Sequence, residues 1–194
     1  MNLKELDQVI TDFIQNSGIF APVIASVLIC IESILPFLPL SVFITLNFYY
    51  FGSLIGFLIS WPLTILGCYI AFRLCRNKVK FWFDSKIMKK NKLKAQRWMK
   101  GFNNLSFEQL VLILTLPFTP AFLVNIVAGL SEISAKKFVV TLIISKAFLV
   151  YFWGFVGTHL LESLTNPAHL IIIGVTLLVA FIISRTVNKA YGIE

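Results

Sequence analysis

Charge is the scarcest commodity in this chain. Only 13% of its residues are Asp, Glu, Lys or Arg, about half the share of a soluble globular domain, while 58% are hydrophobic and the mean hydropathy is +0.85. That balance excludes a soluble fold and implies an integral membrane protein with no separate soluble domain. Cysteine is sparse too. Cys30, Cys68 and Cys75 lie in or beside apolar segments without the paired spacing of a disulfide scaffold or a thiolate metal site, and read as core filler. The two histidines, His159 and His169, fall in or beside a loop with no ligand partner at useful spacing. There is no Gly-x-Ser-x-Gly, no His-Glu-x-x-His and no phosphate-cradling glycine loop. Enzyme chemistry, a bound metal and an organic cofactor are therefore not expected. Nor is a cleavable signal peptide expected, because residues 1 to 18 mix Lys4 with Glu5, Asp7 and Asp12 ahead of a long apolar run.

What is present, twice, is Pro-Phe-x-Pro: Pro36-Phe37-Leu38-Pro39 and Pro117-Phe118-Thr119-Pro120, each preceded by Leu inside apolar sequence. Proline removes a backbone donor and breaks a helix, and lipid cannot satisfy the carbonyls that are freed. Broken backbone at membrane depth must face protein or a hydrated cavity. Two breaks at corresponding points of two halves are the pattern of internally repeated transporters, whose substrate site lies where the breaks meet.

The expected architecture is all-α and polytopic. Residues 1–18 place Leu3, Leu6, Val9, Ile10, Phe13 and Ile14 at helical spacing, giving an amphipathic helix on the membrane surface. Residues 19–51 are too long for one straight span and suffice for two half-depth arms, a first re-entrant hairpin. Residues 52–75 form a transmembrane helix, with Gly52, Gly56, Ser60 and Gly67 as a small-residue stripe for close helix approach and Pro62 as a point of kinking. Residues 76–104 form a basic connector, and 105–132 a second re-entrant hairpin entering from the opposite face as the inverted repeat of the first. Residues 138–157 and 168–185 complete about three full transmembrane helices.

Basic residues set the orientation. Eleven of the 17 fall between Arg73 and Lys100, against the single acid Asp84. By the positive-inside rule that connector is cytoplasmic. Lys136 and Lys137 before the fourth segment, with Arg185 and Lys189 after the last, place both ends of that helical pair, and hence the C-terminus, on the same side. The interfacial rings of Phe81, Trp82, Phe83 and Trp98 add a second reading, attraction of anionic headgroups. Nucleic acid is a poor partner, since nothing here reads bases.

A few polar residues interrupt the apolar runs and are the candidate substrate-binding set. Glu32 lies four residues before Pro36, at a depth where a carboxylate costs roughly 2.5 to 3.5 kcal/mol on insertion scales and generally faces a cavity or a partner. Lys146 interrupts its span near the middle and is expected either to point inward, toward Glu32 or an anionic headgroup, or to end a shorter helix with its stem snorkelling to water. Asn47 and Asn125 stand late in the two return arms, able to bind phosphate oxygens or to cap freed backbone. Gly129 permits a tight turn after the second arm. Pro36, Pro39, Pro117 and Pro120 shape the breaks themselves.

Glu32-x-x-x-Pro36-x-x-Pro39 followed by Phe51-Gly52-x-x-x-Gly56, and Leu116-Pro117-Phe118-Thr119-Pro120 followed by Asn125-x-x-x-Gly129-Leu130-Ser131-x-Ile133-Ser134-x-x-x-Phe138, resemble the DedA and SNARE-associated Golgi protein superfamily, the VTT-domain proteins, from about residue 20 to 157. The resemblance implies two opposed re-entrant hairpins and a role in moving lipids across bilayers. Relatives act as phospholipid scramblases or are associated with the return of undecaprenyl phosphate, in some cases with dependence on the proton gradient. The bacterial branch also carries a second acid in the first return arm and arginines flanking the second proline box. Here Ile44, Thr45 and Leu114 are uncharged, and Lys146, or Arg73 at the cytoplasmic mouth, is the candidate replacement for the missing positive charge.

The expected function is accordingly a translocase for phosphate-bearing lipids in a bacterial plasma membrane, with protons as a candidate coupling ion and pairing of two copies left open. A secondary transporter of a small solute or ion, and a noncatalytic membrane-organisation factor working through the basic connector, are the rival expectations.

Overall fold

A computed structural model describes residues 20–34, 39–79, 102–163 and 168–190. The expected amphipathic helix of residues 1–18, Pro36, and most of the basic connector lie outside the described residues. Those described form helices α1 (Phe20–Ile34), α2 (Leu40–Leu74) with a following π-helical turn (Cys75–Val79), α3 (Phe107–Thr115), α4 (Ala121–Leu130), α5 (Ala135–Glu162) and α6 (Ala168–Ala190). Among the described residues, three helical stretches are long and apolar enough to cross a membrane: Leu40–Asn77, Ala135–Leu161 and His169–Ala190.

The first of these is not one rod. Gly52 sits at φ 75°, ψ 168°, a region essentially closed to residues with a Cβ. In a straight helix Asn47 and Gly56 would be about 13 Å apart, yet a Cβ built on Gly56 would lie 2.6 Å from the Asn47 carbonyl oxygen. Asn47 Nδ2 also donates to Ser60 Oγ at 3.1 Å. The chain therefore turns back at Gly52, separating an arm (residues 40–51) from a stem (residues 53–74). Each glycine or serine of the small-residue stripe beyond that point accepts a neighbour: Gly56 the arm's backbone, and Gly67 the Cys30 carbonyl and Ser33 side chain of α1. Pro62, where the sequence suggests a kink, is accommodated within the stem; the non-helical residue is Gly52.

Helix α1 lies antiparallel to the arm. Asn47 Nδ2 reaches Ser26 Oγ at 3.3 Å, and Ala25 and Ile29 share an apolar cluster with Phe43, Ile44, Phe48 and Val150. At about 22 Å and 18 Å, both pieces are shorter than the roughly 30 Å hydrocarbon core of a bilayer. The second half repeats the plan. Ser106 and Gln109 form a reciprocal capping box that starts α3. The chain then leaves helical geometry at Leu116, the Thr119 N–H donates to the Leu116 carbonyl at 3.3 Å, and α4 begins after Pro120. The Glu132 N–H returns to Asn103 Oδ1 at 3.0 Å, so α3 and α4 are likewise two short arms that double back.

Helix α5 joins the halves. It runs antiparallel to the stem, with Trp61 Nε1 donating to the Ile143 carbonyl at 2.9 Å and Phe72 stacked on Phe138 at 4.5 Å between ring centres. Its Gly154 and Gly157 take Phe48 and Thr45 of the first arm. A second apolar cluster, with Cys68, Phe72, Leu110, Ile113, Val124, Ala128, Phe138 and Leu142, holds the other half together. Helices α5 and α6 run beyond the expected 138–157 and 168–185, because Ser134 caps α5 through the Lys137 N–H and α6 continues past Arg185.

Gly52 and Gly174 make a matched pair for testing the reversal, since a Cβ at either meets nothing within 4 Å and only Gly52 has positive φ. Gly52→Ala should lower stability in detergent by about 1–3 kcal/mol through backbone strain alone. Gly174→Ala, inside α6, should raise it by up to about 1 kcal/mol. Denaturation midpoints of the two variants check this; equal shifts would mean that no special backbone geometry is required at Gly52.

Candidate functional site

Pro39 and the Leu116–Pro120 turn line one cavity of about 350 Å³. Glu32 and Ser33 come from the end of α1, Pro39, Leu40 and Ser41 from the start of the first return arm, and Leu116 through Phe122 from the second turn and the start of α4. Thr64 and Cys68 of the stem and Lys146, Leu149 and Trp153 of α5 complete the wall. The α5 contributors are spaced 3 and 4 apart, which is one helical face.

Each return arm starts the same way. Pro39 and Pro120 occupy the N-cap positions, and neither arm has a side-chain cap. The first backbone N–H groups of a helix have no partner within it; here Val42 and Leu123 are the first to bond back, to the Pro39 and Pro120 carbonyls at 3.0 and 2.9 Å. The earlier residues, Leu40 and Ser41 in one arm and Ala121 and Phe122 in the other, line the cavity. Two uncapped helix N-termini thus converge on it, each carrying partial positive charge.

The cavity holds one candidate cation and one candidate anion. Lys146 is fully buried and lines the cavity. Glu32, half-buried, lines the same cavity and feels the Lys146 charge. Either group alone at membrane depth would be costly, and their mutual attraction offsets part of that cost. The second turn is anchored from outside: Thr119 Oγ1 donates to Asn188 Oδ1 of α6 at 2.9 Å, and the Phe118 ring makes edge contacts with Trp153 and Phe181.

Of the residues singled out by sequence, the structure brings Glu32, Pro39, Pro117, Pro120 and Lys146 together. Asn47 does not line the cavity; its amide clamps α1, the arm and the stem through Ser26 and Ser60. Asn125 is also away from it, buried in α4, with neither amide atom hydrogen-bonded among the described residues. Gly129 serves close packing, against the Phe72 carbonyl and Cys75. Arg73 is exposed and borders a separate hollow with Tyr69, Ile70, Leu74 and Asn77, so it is not part of this wall. His159 and His169, apparently unpartnered in sequence, have ring centres 5.3 Å apart across the α5–α6 junction.

Ser41, Thr64 and Trp153 were not singled out from the sequence, nor was the contact made by Arg76. Trp153 could have been found, lying two turns beyond Lys146 on the same face; Ser41 and Thr64 carry no comparable signal. Arg76, one of the eleven basic residues that set the orientation, donates to the carbonyls of Ala128 (3.2 Å), Gly129 (3.4 Å), Ser131 (2.9 Å) and Ile133 (2.6 Å), and its guanidinium stacks over Phe72. It ties down the end of α4. Ser131 and Ser134 finish that junction, Ser131 Oγ donating to the Ala128 carbonyl and Ser134 Oγ accepting from the Lys137 N–H.

Short doubled-back arms, three long apolar helices and outward faces such as Leu54, Ile171, Val175 and Leu178, each more than half exposed, define a polytopic α-helical membrane protein, since water would not tolerate that much apolar surface. The VTT domain family model matches residues 38–159, and the chain belongs to the DedA/VTT superfamily. It is similar to the "Uncharacterized membrane protein YhjE" of Bacillus subtilis (strain 168), 30% identical over 182 residues, covering 93% of this chain and 86% of that one. It is also similar to the "Uncharacterized protein YqeD" of the same organism, 26% identical over 135 residues, covering 70% of this chain and 64% of that one. No solved structure gives a significant match.

Replacing Arg76 by Lys keeps the charge but loses the planar fork that reaches several carbonyls. Arg76→Lys should therefore destabilise the α4–α5 junction by about 2 kcal/mol, read as faster amide exchange at residues 129–133. Arg73→Lys, on an exposed side chain, should leave exchange there unchanged.

Proposed function

We propose that this protein is a lipid translocase, a carrier with no covalent chemistry, that passes the phosphate headgroup of a membrane lipid through the cavity between the two proline turns. The single observation that carries the reading is the convergence of Lys146, Glu32 and two uncapped helix N-termini on one hollow at the depth of the broken backbone. Helix N-termini and a buried ammonium replace the hydration of a phosphate as it leaves water. Membership in the DedA/VTT superfamily supports transport in general terms.

In this reading α1 with residues 40–51, and α3 with α4, are re-entrant hairpins that dip into a bacterial plasma membrane from opposite faces. The basic connector and the C-terminus are cytoplasmic, as the basic residues ask. An exchange of contacts supports the inverted repeat. Pro39 and Pro120 are 81 positions apart. The same shift carries Phe48, which packs on Gly154 late in α5, onto Gly129, which packs on Phe72 and Cys75 at the end of the stem. Each return arm thus leans on the long helix of the other half. Glu32 is the one carboxylate among the described residues lining the cavity, so a proton gradient would act through it.

The test is headgroup accessibility in proteoliposomes, comparing polyprenyl phosphate with ordinary phospholipids, with and without a proton gradient. Lys146→Met should slow translocation at least tenfold, and Glu32→Gln should abolish any response to the gradient. If the wild-type protein moves no lipid while taking up a small solute, the reading is wrong.

A further inference from the structure

Helix α5 carries two stripes side by side. Lys146, Leu149 and Trp153 face the polar cavity. Beginning two residues past Lys146, Phe148, Tyr151, Phe152 and Phe155 form a second stripe at 3-, 4- and 7-residue offsets, which line a separate apolar groove of about 350 Å³ against α6. Ala180 and Ile183 supply the α6 wall, and the small Ala180 side chain is what leaves room opposite the rings. The two hollows share Leu116 and Pro117. The second proline turn is therefore a partition, polar on one side and apolar on the other.

We infer that this groove is a binding site for the hydrocarbon tail of the same lipid whose phosphate occupies the cavity, an inference that rests on the translocase reading. The occupant follows from the shared wall. A lipid is a charged group joined to an apolar chain, and here a cavity with a buried ammonium adjoins an aromatic trough with one turn of chain between them. A trough on the lipid-facing surface is necessarily filled by hydrocarbon; contiguity with the headgroup cavity makes this one specific. Its aromatic rings give large apolar contact with little loss of side-chain freedom. The stripe runs about 10 Å along α5, so it grips the part of the tail nearest the headgroup and leaves the remainder in the bilayer. The groove thereby orients the lipid and reduces the ordering that headgroup entry requires. Thr119 on Asn188 and Phe118 against Phe181 hold the partition to α6, so groove and cavity keep their register.

Ala180→Trp fills the groove without touching the cavity wall, and Ile171→Trp, on an α6 residue that is 71% exposed and outside the groove, is the control. In proteoliposomes Ala180→Trp should slow translocation at least tenfold while Ile171→Trp matches wild type. A phospholipid bearing a mid-tail diazirine should label wild-type residues 148–155 and 180–183 several-fold more than residues 170–175. Equal rates for both tryptophan variants in an otherwise active protein overturn the groove and leave the translocase reading standing. Wild-type protein that moves no lipid overturns the translocase reading and the inference with it. If Ala180→Trp does not fold, the wild-type labelling decides: enrichment at the groove supports the site, and even labelling along α6 overturns it.

Discussion

Backbone that leaves the helix among apolar residues has to find its hydrogen-bond partners inside the protein, and the rest of this structure is arranged around that requirement. The chain leaves helical geometry at Leu116, and two return arms begin at the proline N-caps Pro39 and Pro120 with no side chain to cap them. The consequences radiate outward. The far end of α4 is secured by Arg76, the far end of the first arm by Asn47, and the arms are pressed against long helices at glycines where backbone meets backbone or ring. The uncapped starts of both return arms line the cavity. The polar hollow is thus the place to which the unmet demands of broken helices have been directed, and it is a ready site for an anion.

The broad architecture was legible because membrane-depth sequence has few ways to be satisfied. An uninterrupted apolar run demands a helix, and a proline pair within one demands a break. The meeting of Glu32, Lys146 and the second turn could be guessed from cost alone, since a lone charge in such sequence needs company. The functions of the asparagines and of Gly129 could not. An amide at membrane depth serves equally well as a ligand or as a clamp, and only packing distinguishes them: Asn47 turned out to bridge Ser26 and Ser60. Arg76 was obscured for another reason. Among eleven basic residues whose bulk explanation is topology, nothing in the sequence marks the one whose guanidinium reaches back over fifty residues to the end of α4. The motif tail Gly129-Leu130-Ser131-x-Ile133-Ser134 is explained by the same contact: it supplies the carbonyls that Arg76 binds, a close approach to Cys75, and the cap of α5.

The nature of the cavity's cation bears on how a carrier releases its load. An arginine fork binds phosphate bidentately, with geometry and strength suited to retention. Lysine offers a compact point charge on a flexible stem, with three donors that accept many orientations. Lys146 is buried, and Glu32 lines the same cavity as an alternative partner. In the proposed reading the headgroup and the carboxylate compete for one ammonium. That competition stands in, in the same reading, for the second acid and the flanking arginines whose places this chain fills with the uncharged Ile44, Thr45 and Leu114.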